Sequence, residues 1–283
     1  MKKLGLLIDS TVYLDQEVID QNNIEVCSLN VVKGRDSFKE TEINNQWVHD
    51  NSSFTHHLTT SQPAPGEFLE AYTRMIEEGY ERIFVVLLSK NISGTFQSAT
   101  LAMNMLDDPS PIHIFDTSLA AYGTSMIALE VIKMLNDKKT EEEIIERIDY
   151  IISTSQQMFT VENLFSLVRG GRLKLSKAAI GTVLRVKPMV RVIEGKLELV
   201  TSERTHKKLN KYIINAMKES MEGHTKLSVY TINIDSDDNV EKLKQDVLAE
   251  FPDAVITGTN YIGPVFTIHV GNRGYGLSYF CEK

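Results

Sequence analysis

Three short polar segments each come shortly after an apolar run of the sequence. They are Asp9-Ser10-Thr11, Ser93-Gly94-Thr95 and Asp116-Thr117-Ser118, and a fourth, Thr59-Thr60-Ser61-Gln62, lies just before a predicted helix. Hydroxyl groups and backbone N–H groups at the start of a helix suit an anion, because the unpaired donors point outward and the helix dipole favours negative charge. The same residue types are also ordinary helix caps. The pattern therefore predicts either an anion site or simple helix capping.

A histidine near the end of the chain is the second candidate. In the stretch YIGPVFTIHVGNRGYG (261–276), His269 is flanked by apolar residues and is followed by Gly271, Gly274 and Gly276. Glycine at this density suggests backbone that approaches a bound ligand closely, whereas a lone histidine in apolar sequence is equally consistent with a core position. The string is neither a phosphate loop of the Walker type, which ends in Lys-Ser/Thr, nor a dinucleotide-binding fingerprint, which needs a strand–helix unit.

The remaining candidate functional residues are a basic run and two weaker candidate sites. Arg169-Gly170-Gly171-Arg172-Leu173-Lys174 reverses the sign of a chain whose formal net charge is -8, so it is either a docking patch or a solvated helix end. The adjacent pair His56-His57 lacks a neighbouring acid or cysteine and is interpreted as a solvated loop. Ser93 and His269 together would suit a hydrolase, but Ser93 lies outside a G-x-S-x-G elbow and no orienting acid can be assigned.

Composition limits the class of protein. With 283 residues, 42% of them apolar, the chain is long enough for one large or two ordinary domains. The negative charge argues against a nucleic acid or an anionic membrane as partner. Two cysteines give no disulfide framework or metal motif, and the first apolar run is broken by Asp9, too early for a signal peptide. We expect a soluble cytoplasmic protein with reduced thiols, no membrane span, no cofactor and no metal.

The first half of the chain must position the polar segments. Short apolar runs at 3–8, 82–88 and 112–115 have the pattern of strands buried on both faces, and predicted helices alternate with them. This order predicts a parallel α/β sheet, whose strand tips meet at one edge where ligands bind. Residues 28–60 are polar and irregular, and we interpret them as an excursion that contains a short hairpin.

The second half has a different pattern. A capping box at Thr140-Glu141-Glu142-Glu143 starts a helix, and residues 187–202 alternate about Glu194-Gly195 as an antiparallel hairpin. A basic helix, a strand, a helix and a last short strand follow, which predicts a mixed sheet. The predicted fold class is therefore α/β with two domains, a parallel-sheet domain at 1–155 and a mixed-sheet domain at 156–283.

Taken in order, these segments resemble the DegV family of bacterial fatty-acid-binding proteins over the whole chain. The resemblance rests on the residues Asp9-Ser10-Thr11, Thr60-Ser61-Gln62-Pro63 with Pro65-Gly66-Glu67-Phe68, Ser93 to Ala99, Gly170-Gly171-Arg172-Leu173, Lys187-Pro188, and Ile262-Gly263-Pro264 with His269. It implies two α/β domains and a long-chain fatty acid bound between them. It also implies a carrier rather than an enzyme, which presents the carboxylate to a separate ATP-binding fatty acid kinase subunit. The resulting acyl phosphate would enter phospholipid synthesis.

The resemblance assigns roles residue by residue. Thr60, Ser61, Ser93, Gly94 and His269 would contact the carboxylate, and Arg204 would support that network. Arg169, Arg172 and Lys174 would meet the kinase subunit. The chain departs from the family twice: Asn272-Arg273 replaces the middle of a common Gly-Pro-Gly segment, and Ala64 replaces a serine or threonine.

Two other functions stay open at this point. One is a subunit like that of dihydroxyacetone kinase, in which His269 would anchor a small carbonyl substrate. The other is an esterase that uses Ser93 and His269. The lack of a phosphate loop argues against kinase activity by this chain alone, whereas its apolar residues favour a lipid only slightly, because a packed core needs them as well.

Overall fold

The structure is a computed structural model that describes residues 3–52, 57–162, 164–174, 186–258 and 262–283. The chain divides into two compact units. The first comprises Met1–Tyr150 with Gly263–Val265, and the second comprises Ile151–Ile262 with Phe266–Lys283. The predicted α/β class, with a parallel sheet in one half and a mixed sheet in the other, is confirmed. The domain division at 155/156 stays a prediction.

The first unit contains a four-stranded parallel sheet and a smaller antiparallel sheet. The strands are β1 (Leu4–Asp9), β2 (Glu25–Cys27), β3 (Asn30–Lys33), β4 (Asp36–Lys39), β5 (Thr59–Ser61), β6 (Arg82–Leu87) and β7 (Ile112–Asp116). The parallel sheet has the order β2-β1-β6-β7, and the antiparallel sheet has the order β4-β3-β5. The smaller sheet contains the predicted hairpin of the excursion, with Gly34 in its turn at φ 66°.

Helices lie between these strands in the chain, and some of them cover both faces of the parallel sheet. They are α1 (Gln16–Gln21), α2 (Asn45–Asn51), α3 (Pro65–Glu77), α4 (Thr95–Met103), α5 (Tyr122–Asn136) and α6 (Glu141–Thr154). One face of the sheet packs Leu7 and Val85 against Phe68 and Tyr72 of α3 and Ala99 of α4. Helix α5 contacts β1 and β6. Burial from both sides explains why the central strands are nearly continuous apolar runs.

The second unit is built on a six-stranded mixed sheet. Its strands are β8 (Gln156–Val161), β9 (Lys187–Ile193), β10 (Lys196–Glu203), β11 (Lys226–Ile234), β12 (Val255–Thr257) and β13 (Gly274–Glu282), in the order β10-β9-β8-β13-β11-β12. The predicted hairpin is present, and Glu194 and Gly195 both have positive φ, as a tight two-residue turn requires. Strands β8 and β13 were not predicted.

Within the residues that the structure describes, four helices belong to this part of the chain. They are α7 (Phe165–Arg169), α8 (His206–Ser220), α9 (Asp237–Glu250) and α10 (Pro264–Val270), whose first residues lie in the first unit. Helices α8 and α9 pack Leu209, Ile213 and Leu243 on one face of the sheet, against Met189 and Leu277. The amphipathic helices that the sequence predicts therefore form a single layer on this face.

Candidate functional site

The tips of β1 and β6 are tied together by a buried aspartate. Asp9 is fully buried; its Oδ1 accepts a hydrogen bond from the backbone N–H of Thr11 at 2.9 Å and one from the Thr11 hydroxyl, and its Oδ2 accepts from the N–H of Leu88 at 2.9 Å. Burial raises the pKa of Asp9, and these hydrogen bonds oppose the rise. Asp9 therefore joins two strand tips, a structural use of the first polar segment.

Asp116 likewise joins two strand tips, those of β6 and the neighbouring strand β7. Its Oδ1 accepts from the backbone N–H groups of Ser118 at 3.0 Å and Lys90 at 3.3 Å, and its Oδ2 pairs with Lys90 Nζ at 3.3 Å. Thr117 is buried and donates to the carbonyl of Leu87 at 2.9 Å. The three strand tips lie at one edge, as expected, but the two aspartates hold loops rather than face a ligand.

Ser93 lies in the loop after β6 and is half-buried, as Ser10 and Ser118 of the neighbouring tips also are. Its Oγ lies 2.9 Å from Thr95 Oγ1 and accepts a long 3.3 Å hydrogen bond from the N–H of Thr95. A Cβ at Gly94 would come within 3.0 Å of the Gln62 side chain, so glycine lets that amide pack against the loop. Gln62 directly follows Thr60 and Ser61, both half-buried at the end of β5. The first unit thus brings these two predicted segments to one corner.

Glu40 is a functional candidate that sequence reasoning missed. It is 4% exposed; its Oε1 accepts from Tyr13 Oη and from the backbone N–H of Val265, both at 2.9 Å, and its Oε2 accepts from Ser10 Oγ at 2.5 Å. Burial raises its pKa to about 7, against the lowering effect of these donors. A Cβ at Gly263 would come within 2.4 Å of the Tyr13 ring, so this glycine makes the close packing possible. No local pattern signals burial, because Glu40 stands among polar residues.

In the second unit, His269 packs against the start of the predicted basic run. A Cβ at Gly170 would come within 2.5 Å of His269 Nδ1. Burial, together with the charges of Arg172 and Arg169, lowers the pKa of His269 to about 4. The imidazole is therefore neutral at neutral pH. A neutral imidazole can hydrogen-bond a carboxylate through an N–H group without forming an ion pair.

The basic run has two kinds of side chain. Arg172 is half-buried and donates from Nη1 to the carbonyl of Gly170 at 2.6 Å, and burial lowers its pKa. Arg169 and Lys174 are exposed, and the Arg169 guanidinium lies 5.5 Å from the ring centre of Phe165, which is 61% exposed. Arg172 thus supports the surroundings of His269, while its neighbours and Phe165 form an outward surface.

Arg204 lies in a different part of the second unit. It lines a polar cavity of about 640 Å³ together with Lys187, His206 and Arg273, and His269 is not among the lining residues. The grouping of Arg204 with the carboxylate contacts stays a prediction.

The glycines after His269 have a structural explanation. A Cβ at Gly274 would lie 2.2 Å from the carbonyl oxygen of Thr160, and one at Gly276 would lie 2.2 Å from that of Met158. Both belong to β13 and face the backbone of the neighbouring strand β8. The interpretation of these two glycines as backbone open to a ligand is wrong. Gly271, at φ 83°, makes the turn that precedes the strand.

Several expectations concern groups outside these clusters. His56 lies outside the described residues, and His57 is exposed. Ala64 precedes helix α3, where its N–H donates to Glu67 Oε2 at 2.8 Å. Across the described ranges, no group of three or more His, Cys, Asp or Glu side chains is arranged to hold a metal ion. Nor does any helix in these ranges combine the length and apolar content needed to cross a membrane.

Comparison with known proteins identifies the relatives of this chain. The family model described as "Uncharacterised protein, DegV family" matches residues 3–282. The chain belongs to the DegV family. A DegV domain-containing protein of Listeria innocua is 30% identical over 283 residues, which cover 98% of each chain.

Solved DegV structures share the whole fold. A DegV family protein from Thermus thermophilus, described by its fatty acid binding, is 28% identical with a TM-score of 0.85 and 99% coverage of both chains. DegV of Bacillus subtilis, described as a fatty acid binding protein, is 26% identical with a TM-score of 0.83 and 100% coverage of both chains.

Proposed function

We propose that this DegV protein binds a long-chain fatty acid and is a carrier rather than an enzyme. The observation that carries the proposal is the full-length likeness, in sequence and fold, to DegV proteins described as binding fatty acids. Burial of each methylene of an acyl tail contributes about 0.8 kcal/mol, so the tail supplies most of the affinity. The carboxylate then needs only a few oriented donors.

The carboxylate contacts that we propose are neutral groups. Ser93, Thr60 and Ser61 of the first unit offer hydroxyl donors, Gly94 leaves backbone accessible, and His269 of the second unit offers an uncharged imidazole. Arg204 belongs to the proposed network as a supporting charge. Neutral donors hold a carboxylate without the strong charge pairing that would reduce its reactivity as a nucleophile.

Carboxyl-labelled oleate tests these contacts. Delipidated protein should give a bound ¹³C carboxyl resonance in slow exchange. His269→Gln should shift this resonance and weaken binding by about tenfold, because the flexible amide does not hold its N–H donor where the imidazole holds its own. His57→Gln, at an exposed histidine of the first unit, is the matched control. A bound resonance that is unchanged in His269→Gln would remove His269 from the site.

We further propose that the bound carboxylate is presented to a separate ATP-dependent fatty acid kinase, for use of the acyl phosphate in phospholipid synthesis. The resemblance to the family supports this partner, and the docking face that we propose for it is the surface formed by Phe165, Arg169 and Lys174. Basic side chains beside an exposed aromatic ring suit a partner with an acidic, partly apolar surface.

Charge reversal at the two exposed basic residues tests docking. Arg169→Glu with Lys174→Glu should slow phosphorylation of the bound fatty acid by the partner kinase, most at low ionic strength, because salt screens exposed charges. Fatty-acid binding should stay intact. Lys196→Glu, exposed on β10, changes the charge elsewhere and is the control. A double variant that is phosphorylated at the wild-type rate at every salt concentration would exclude this face.

A further inference from the structure

The polar cavity of the second unit combines a cationic and an acidic wall. It measures about 640 Å³, within the range of small-molecule sites. Lys187, Arg204 and Arg273 contribute positive charges, and Asp235 and Asp238 are among the acidic lining residues. These residues come from the ends of different strands, so the fold rather than the local sequence brings them together.

The three cations are available to a ligand. Among the described residues, the side chains of Lys187, Arg204 and Arg273 form no ion pair and no hydrogen bond, although carboxylates line the same cavity. By contrast, Lys208, two residues after His206 in the chain, pairs with Glu203 at 3.6 Å.

A chain of partly buried hydrogen bonds fixes the side chain of His206, which also lines the cavity. Asn210 Nδ2 donates to Asp246 Oδ2 at 2.7 Å, which leaves Asn210 Oδ1 as the acceptor for Tyr275 Oη at 2.8 Å. The Tyr275 oxygen, 3.2 Å from His206 Nδ1, then accepts a hydrogen bond from that nitrogen. Burial and the charge of Lys187 lower the pKa of His206, so its ring is neutral. His206 Nε2 is therefore an acceptor, ready for a ligand O–H or N–H group.

We propose that this cavity binds a small zwitterionic phosphate monoester, with its phosphate held by Lys187, Arg204 and Arg273 and its amino group facing the acidic wall. Arginine matches two phosphate oxygens with paired N–H donors, and lysine adds a compact charge. The carboxylates of Asp235 and Asp238 would repel a bare anion, which is why the ligand must also carry a cationic group. This inference does not rest on fatty-acid binding, although Arg204 also belongs to the proposed carboxylate network.

O-phosphoethanolamine is the probe, and calorimetric titration of the delipidated full-length protein is the measurement. We expect saturable binding that weakens by about tenfold in Lys187→Gln and in Arg273→Gln, since each removes a charge-assisted contact. Lys196→Gln, outside the cavity, should bind as wild type does. Arg204 is left unchanged because it is also part of the proposed carboxylate network, so the two variants should still bind oleate with wild-type affinity.

Ethanolamine, which lacks the phosphate, is the matched ligand and should bind much more weakly. The site is overturned if O-phosphoethanolamine shows no saturable binding up to about 10 mM, if both variants bind it as wild type does, or if ethanolamine binds equally well. Unfolding is monitored by circular dichroism, and Arg273→Lys, which keeps the charge, should restore part of the affinity lost in Arg273→Gln.

Discussion

Gly170 lies directly against His269, with no room for a methyl group between them. A Cβ at residue 170 would come within 2.5 Å of His269 Nδ1 and within 3.1 Å of its Cε1. Gly170 follows helix α7 with φ -70°, a conformation that alanine adopts without strain. Glycine is therefore needed at position 170 because it leaves space for the His269 ring, and not because its own backbone conformation requires it.

Gly170→Ala should displace the imidazole and weaken fatty-acid binding by about tenfold, the loss expected for one misplaced hydrogen bond to a carboxylate. Gly171→Asn is the matched control, because Gly171 has φ 74°, which asparagine tolerates, and a Cβ there meets nothing within 4 Å. Titration with a fluorescent fatty acid measures both. Equal affinities for the two variants would mean that His269 makes no contact with the ligand.

Glu40 predicts a specific pH dependence of stability. Its pKa in the folded protein is about 7, against an ordinary value of 4.5. Between these pH values the folded chain keeps a proton that the unfolded chain has released. The Glu40 contribution to the free energy of unfolding is therefore most favourable at low pH, and it falls by about 3 kcal/mol as pH rises through 7.

Glu40→Gln should remove this pH dependence, because an amide does not titrate in this range. Urea unfolding at about pH 5 and about pH 8 should show a smaller loss of stability in the variant than in the wild type. Glu42→Gln, exposed in the same turn, should follow the wild type. If all three proteins lose the same free energy between the two pH values, Glu40 is ionised throughout.

Substitution of Ser93 distinguishes a role in ligand binding from a role as a helix cap. Its hydrogen bond with the N–H of Thr95 is long, at 3.3 Å, so Ser93→Ala should cost less than about 1 kcal/mol of stability. The melting temperature of ligand-free protein should barely change, while fatty-acid affinity falls by about tenfold. Ser110→Ala, at an exposed serine of the same unit, is the control. A large drop in melting temperature with full lipid retention would make Ser93 only a cap.

The sequence predicts the elements whose signal is local. Strands β1, β6 and β7 are continuous apolar runs, and the β9–β10 hairpin is marked by Glu194-Gly195 at its turn. Strand β13 is hidden because it begins with Gly274 and Gly276, which serve the approach of a neighbouring backbone. That approach is a property of the pairing with β8 and cannot be seen in either segment alone.

The candidate site, too, can be predicted from the sequence only where its signal is local. Polar strand tips are recognisable from residue order, and the structure places Gln62 against Gly94 at one such tip. Burial of Glu40 depends on Val265, which is 225 residues away in the chain. The contact between Gly170 and His269 and the cavity around Lys187 likewise join distant segments. Long-range partners of this kind have no periodic pattern in the sequence.

Native mass spectrometry of the purified protein tests fatty-acid binding most directly. The proposal predicts a bound species heavier than the free chain by the mass of one long-chain fatty acid, which is lost on delipidation and regained after addition of oleate. Ser93→Ala and Gly170→Ala should show a smaller bound fraction than Ser110→Ala and Gly171→Asn. A folded, delipidated wild-type protein that shows no such species in the presence of excess oleate would contradict the account.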